Sequence, residues 1–453
     1  MARTLVRNAA IVTMDDAIGE ITGDVLIEDD RIAALAPRIE GVGDTDVIDA
    51  TGFIVIPGLI NAHMHTWQTG LRGVAANWTL LEYFKQVHAG LATLFRPEDI
   101  GIATLVGALN QINCGTTTLV DWCHNNPTPA HTDAAVDALF ESGIRAAFFH
   151  GSPKPDPKPG ERPFWEVPHP RIEVERLLRG RLSANDGLVT LGLAILGPHY
   201  SNMEVALSDF ALAREFGLIA SMHQGGGAAR TPDGWERLEA AGLLDDHVNI
   251  VHGNNLNDAR LKKFVDLGMS FSITPENEMA QGHGHPITGR LRKLGSAPTL
   301  GVDLESVLSG DMFTVARIAL AMQRALDNAD YRAAHASIPD TSTVPVRDAL
   351  SWITTQGAKM LRMEDRLGSL TVGKQADLVL IDARALNMHP VHDVVASVVM
   401  QTSLANIDSV MIAGQWKKRH GKLLYADIAR RQAALAASGN RIVTDLGLRK
   451  AVQ

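Results

Sequence analysis

The chain is poor in cysteine and in aromatic side chains. Its two cysteines, Cys114 and Cys123, exclude a disulfide framework in a chain of 453 residues. Burial as small packing residues is the expectation for both, with a reactive thiol as the alternative. Aromatic residues make up 5% of the sequence while Ala, Leu, Val and Gly abound, a mixture that suits repeated β/α packing better than a sandwich. Basic residues are outnumbered, 42 Lys and Arg against 51 Asp and Glu for a net charge of −9, so no nucleic-acid partner is expected. No apolar run reaches the roughly 20 residues of a membrane span, and MARTLVRNAAIVTMDD lacks the apolar core of a signal peptide. A reduced, cytoplasmic protein with no membrane partner is the expectation.

What is present is an ordinary globular balance, 45% hydrophobic and 21% charged, over a length that one core organises only as an α/β barrel. The first stretch, 1–57, reads as short strands: TLVRNAAIVTM, GDVLIEDDRIAALA and DVIDATGFIVIPG alternate apolar and polar residues between Asp and Gly breaks. Over 58–362 short apolar runs alternate with segments of helical period. GLINAH, GTTTLVDW, RAAFFHGS, VTLGLAILG, LIASMHQ, VNIVHGN, MSFSITP and APTLGVD make eight candidate strands, the count of a (β/α)8 TIM barrel. Strand texture returns over 363–453, in LGSLTVGKQADLVLIDA, VVASVVMQ and IDSVMIAGQWKKRHGKLLY, before a last helix, ADIARRQAALAAS. The fold class is therefore α/β, a barrel with a small β-sandwich domain made from both chain ends. The Pro- and Lys-rich SPKPDPKPGERPFWEVPHP is too long for a tight turn and is expected to form part of a lid.

Chemistry concentrates at the ends of the apolar runs. In PGLINAHMHTWQTGLRG, His63 and His65 stand two apart, and strand residues at that spacing share a face. GLIASMHQGGG ends in His223, HVNIVHGNN in His252 and SAPTLGVDLES in Asp303. Active sites of such barrels occupy the C-terminal ends of the strands. Singly, each residue reads as a satisfied polar strand end; together they favour a metal site. Three imidazoles and a carboxylate suit zinc or ferrous iron better than magnesium or calcium.

The order of PGLINAHMH, His223, His252 and Asp303 resembles the amidohydrolase superfamily, and more narrowly its branch of cytosine and adenosine-type deaminases and triazine hydrolases. LGSLTVGKQADLVLID, with Gly368, Gly373, Lys374, Ala376 and Asp377, is similar to the strand that re-enters the β-domain in that branch. The resemblance implies that His63, His65, His223 and Asp303 bind the metal. VTLGLAILGPHY has no lysine to carboxylate, which implies one divalent ion, Zn or Fe. It further implies Asp303 as the group that moves the proton of the attacking water, and His252 as the one that polarises the group under attack. A helix cap for Asp303 and a backbone partner for His252 remain the structural alternatives. A small-molecule substrate and a homo-oligomer complete what the resemblance implies.

Ring deaminases of that branch carry a glutamate where this chain has Gly226, within HQGGGAAR. Asn255 takes a place often held by a substrate-facing histidine, and Glu276 precedes Asn277 where serine is usual. Without the acid, either Glu276 or Glu278 reaches in as a substitute, or the substrate needs no ring protonation. The second alternative points to hydrolysis of a C–N or similar bond in a heterocyclic or aromatic compound. Classical deamination with a substitute acid is the runner-up, and a non-catalytic barrel scaffold the rival class. Glu276, Asn277, Asn255, Trp67, Gln68, Trp122 and His150 are the candidate substrate-binding residues. His124 and His199 also lie near strand ends, and His283 and His285 fall in a Gly-rich loop that either contacts substrate or is a plain turn.

Overall fold

The structure, a computed structural model, describes residues 3–448; the outermost residues of the two expected end segments, 1–2 and 449–453, lie outside it. Parallel strands run in chain order around the barrel: Leu59–Met64, Thr116–Cys123, Arg145–Gly151, Val189–Ile195, Ala220–Gln224, Val248–His252, Ser270–Ile273 and Thr299–Leu300. Each apolar run picked out over 58–362 is thus a strand, and nearly all its residues are buried, as befits strands covered on both faces; VVASVVMQ, read as strand, is instead the helix Val394–Gln401, started by Asp393 accepting from Ala396 N (2.8 Å). The ring closes where Asp303 N–H donates to the His63 carbonyl (2.9 Å) and His65 N–H to the Asp303 carbonyl (2.8 Å). Gly301 permits that approach, because a Cβ there would stand 2.5 Å from the His63 carbonyl oxygen.

Ile60, Ala62, Val120, Trp122, Ala147, Phe149, Ala194 and Val251 fill the barrel, with Ala358, Met360 and Leu361 packed among them. That plug stands at the N-terminal end of the strands, since the Ile60 N–H donates to the Ile353 carbonyl (2.8 Å). The opposite, C-terminal mouth is left to polar residues.

The second sheet has nine strands and draws on both chain ends. Phe53–Pro57 pairs antiparallel with Leu378–Asp382 and so welds the ends together. Period two divides its residues: Ile54, Ile56, Val379 and Ile381 join the large core shared with the barrel, whereas Val55, Leu378 and Leu380 turn to a separate cluster with Val6, Ile11 and Val25. The sheet curls round that cluster until Ile32 N–H reaches the Lys374 carbonyl (2.9 Å) and Gly373 N–H the Ile32 carbonyl (2.8 Å). Gly373, at φ +90°, makes the turn. The last helix, Ile428–Asp445, is longer than its sequence pattern indicated and lies on the barrel helix Pro97–Asn113, where Ser438 Oγ donates to Asp99 Oδ1 (2.6 Å). No helix among the described residues is long and apolar enough to cross a membrane. Cys114 and Cys123 are free and buried.

One buried ion pair joins barrel to sheet. Arg145 donates through Nε to Asp377 Oδ2 (2.8 Å) and through Nη2 to Asp377 Oδ1 (3.1 Å), both side chains being 5% exposed. Asp377→Ala strands the guanidinium in the joint, which costs about 3–5 kcal/mol. A denaturant titration will show the midpoint falling accordingly; an unchanged midpoint would mean that the pair contributes nothing at this joint.

Candidate metal centre and its cavity

His63 owes its inward position to a break in alternation. Ile60 and Ala62 already face the barrel interior, so a regular strand would turn His63 outward. A bulge between Asn61 and Met64 inserts one extra residue against Leu119–Asp121 and resets the parity. His63 and His65 then both point inward. Asp121 holds the chain just beyond, accepting from Thr66 Oγ1 (2.7 Å) and Thr66 N (3.3 Å). His223 arrives at the end of the fifth strand. Asp303 follows the eighth with φ +72°, and His252 ends the sixth with φ +68°; strained backbone of this kind persists where the surroundings over-determine it.

One nitrogen each of His63, His65 and His223 and a carboxylate oxygen of Asp303 all lie within 4.8 Å of one another. His63 Nε2 is 3.3 Å from His223 Nε2, and Asp303 Oδ1 is 3.3 Å from His63 Nε2 and 3.4 Å from His65 Nε2. The donor set fits a cation better than it fits itself. Burial holds His65 neutral, its pKa lowered to about 3, and its Nδ1 must carry the proton, because it lies 2.6 Å from the Trp122 carbonyl. Its bare Nε2 therefore faces a carboxylate oxygen, acceptor against acceptor. Burial likewise depresses His63 and His223, whose Nδ1 atoms are buried without partners. A positive ion between these atoms removes the conflict, and the Trp122 carbonyl fixes the His65 tautomer that such an ion needs.

Asp303 keeps its charge. Burial would raise it, but the hydrogen bond with His63 and the charge of His252 hold it well below the usual carboxylate range. Its second oxygen, Oδ2, accepts from Asn277 Nδ2 (2.7 Å) and Thr274 Oγ1 (3.2 Å) and lies 3.9 Å from His252 Nε2. His252 is oriented from behind: its Nδ1 stands 3.2 Å from Glu278 Oε1. Burial opposes the charged imidazole, yet Glu278 and Asp303 prevail and raise its pKa. Glu278 is itself pinned, accepting from Thr274 N (2.8 Å) and Asn254 Nδ2 (3.0 Å).

The cavity over this cluster, about 30 Å³ as the side chains stand, is lined by His65, His223, His252, Asp303, Asn277 and Gln281 together with Tyr83, Phe84, His88, His124, Lys154, Tyr200 and His283. Of the candidate substrate residues, Asn277 lines it directly. Trp122 lies beneath, its ring centroid 4.2 Å from that of His223 and its Nε1–H donated to Ser221 Oγ (3.0 Å). Trp67 and Gln68 form the wall behind: Trp67 Nε1–H points to His124 Nδ1 (3.3 Å), and Gln68 Nε2 donates to Tyr83 Oη (2.6 Å).

Three candidates stand elsewhere. Asn255 braces the Gly225–Gly227 turn, accepting from Gln224 Nε2 (3.0 Å) and donating to the Gly225 carbonyl (2.6 Å). His150 points out of the barrel, against His169 Nε2 (3.0 Å) and Thr132 Oγ1 (3.3 Å). Glu276 is half-buried away from the cavity, where burial and then the charge of Asp311 raise its pKa. Asp311 caps the helix Met312–His335, accepting from Phe313 N (3.0 Å).

Sequence reasoning overlooked Tyr83, Phe84 and His88, from the irregular helical segment 80–88, and Lys154, from the Pro- and Lys-rich loop. Burial lowers Lys154 to a pKa of about 8. His283, left open as contact or turn, lines the cavity with both ring nitrogens buried and unpartnered.

Comparison with known proteins finds the same architecture elsewhere. The model of the amidohydrolase family matches residues 54–417. The 5-methylthioadenosine/S-adenosylhomocysteine deaminase of Desulforudis audaxviator is 27% identical over 443 residues, covering 94% of this chain and 95% of that protein. The 8-oxoguanine deaminase of Pseudomonas aeruginosa is 27% identical over 467 residues, covering 96% and 99%. Among solved structures, the atrazine chlorohydrolase of Arthrobacter aurescens TC1 complexed with zinc superposes with a TM-score of 0.85 at 22% identity, covering 96% of this chain and 100% of that one.

Proposed function

The chain belongs to the amidohydrolase family, and from that premise we propose that it hydrolyses a C–N or similar bond of a small heterocyclic substrate, with one divalent metal held by His63, His65, His223 and Asp303. The observation that carries this reading is the convergence of those four ligand atoms within 4.8 Å at the barrel mouth. Zinc suits three imidazoles and a carboxylate, and the chlorohydrolase with the same fold was solved with zinc.

A divalent ion held by these four residues would supply water acidic enough to serve as the nucleophile near neutral pH. The chain does the rest. Asp303, ionised by its imidazole neighbours, takes the water's proton and delivers it to the leaving group. Asn277 and Thr274 hold Oδ2 so that the carboxylate does not swing away between those two acts. His252, aimed by Glu278, donates to the atom on which negative charge develops. Tyr83, Phe84 and Tyr200 give the cavity an apolar rim for a planar ring.

Relatives that deaminate purine-type compounds favour a second reading, ring deamination with a substitute acid. Against it, Asp303 is the one carboxylate among the described residues lining the cavity. Glu276 lies away from the cavity, and Glu278 is committed to His252, Thr274 and Asn254. We therefore favour substrates whose leaving group departs without prior ring protonation. We also take the enzyme to be a cytoplasmic homo-oligomer without a nucleic-acid partner.

Assaying metal-loaded protein against chloro- and amino-substituted triazines, ureas, carbamates, 5-methylthioadenosine and 8-oxoguanine separates these readings. Turnover confined to displaceable substituents, ureas or carbamates is the expected result. Turnover of the purines alone establishes the deaminase instead, and a chain that retains no metal and acts on nothing supports the scaffold.

A further inference from the structure

We propose that the substrate carries its own negative charge, a ring carboxylate or ring-bound oxyanion, and that Lys154 is the residue that receives it. The inference rests on the cavity being the substrate site. Lys154 is 7% exposed and reaches that cavity from the loop after the third strand. No acidic side chain among the described residues pairs with it. Its ammonium lies 5.5 Å from the centroid of the Trp122 ring and 5.3 Å from that of Tyr200, contacts that hold a cation in place without cancelling its charge. A buried cation without a counter-charge is costly unless a ligand brings one.

The rest of the cavity offers no substitute. Asp303 is engaged by Asn277, Thr274, His63 and His65, and Glu278 backs His252. The Gly225–Gly227 turn adjoins Tyr200: a Cβ on Gly225 would stand 3.1 Å from Tyr200 Oη, on the ring that Lys154 faces. Gly226 thus leaves acid-free the part of the pocket where the resemblance leads one to expect a glutamate. The absence of that acid and the presence of a buried, unpaired lysine have one common explanation: the anion that complements the lysine arrives with the substrate.

Isothermal titration of metal-loaded protein with nicotinate and with nicotinamide tests this, since the two probes share a ring and differ in charge. Wild type is expected to bind nicotinate about tenfold more tightly than nicotinamide, a preference typical of a desolvated charge contact. K154M should bring the ratio to about one and K154R should restore most of it, with equal metal content in all three proteins. No preference in wild type, or no binding of nicotinate, would overturn the proposal. A preference unchanged in K154M would overturn it too, because the carboxylate would then be held by the metal centre. Absence of metal from every sample would instead sink the hydrolase reading and leave the nicotinate ratio to judge Lys154.

Discussion

Asp303→Asn is expected to fold normally, to keep most of its bound metal, and to lose turnover on the best substrate of the panel by about 10²–10⁴-fold, the usual worth of a positioned proton carrier. Folding is preserved because residue 303 sits at φ +72°, a region that Asn tolerates better than almost any other residue with a side chain. Chemistry is lost for two reasons. An amide takes no proton at neutral pH. It also turns an NH2 group either toward Asn277 Nδ2, now 2.7 Å from Oδ2, or toward the imidazoles at Oδ1. Comparing kcat with the far-ultraviolet spectrum and elemental analysis of the same sample checks the point. Near-wild-type turnover with intact metal would remove Asp303 from the proton path.

His223→Ala carries the second large effect. The His223 Nε2 is 3.3 Å from His63 Nε2, so its loss opens one side of the cluster and leaves three ligands. Metal content should fall from about one ion per chain to a small fraction of that after dialysis, with activity falling in proportion. Stability gives an independent reading. A ligand present at 1,000 times its Kd stabilises the folded state by roughly 4 kcal/mol. Chelation should therefore lower the melting temperature of the wild type and leave that of the variant unmoved. A chelator-sensitive melt that survives the substitution would place the metal elsewhere.

The barrel was legible because its strands are short buried runs between helical segments, a pattern that survives without any knowledge of pairing. The metal ligands were legible for a related reason: each ends one of those runs, and strand ends are where the barrel mouth lies. Parity was harder to read. In Arg145–Gly151 every residue is buried, so nothing in the composition told Phe149, which faces the barrel interior, from His150, which faces the helices. The bulge before Met64 was equally invisible, although the two-residue spacing of His63 and His65 survives it. Glu276 and Glu278 lie two apart on one short helix, Pro275–Gln281, and the fold sends Glu278 to His252 and Glu276 away from the cavity; acidity alone did not distinguish them. Lys154, Tyr83 and His88 come from segments without strand or regular helical period, where no pattern shows which side chain turns inward.

X-ray absorption at the metal edge of the purified protein is the most direct test of the centre on which the rest depends. The expected spectrum shows one ion per chain bound by three imidazole nitrogens and carboxylate or water oxygen at about 2.0–2.2 Å, with the imidazole signal reduced in His223→Ala. A protein that retains no ion after loading, or an ion held by sulfur or by oxygen alone, would contradict the account.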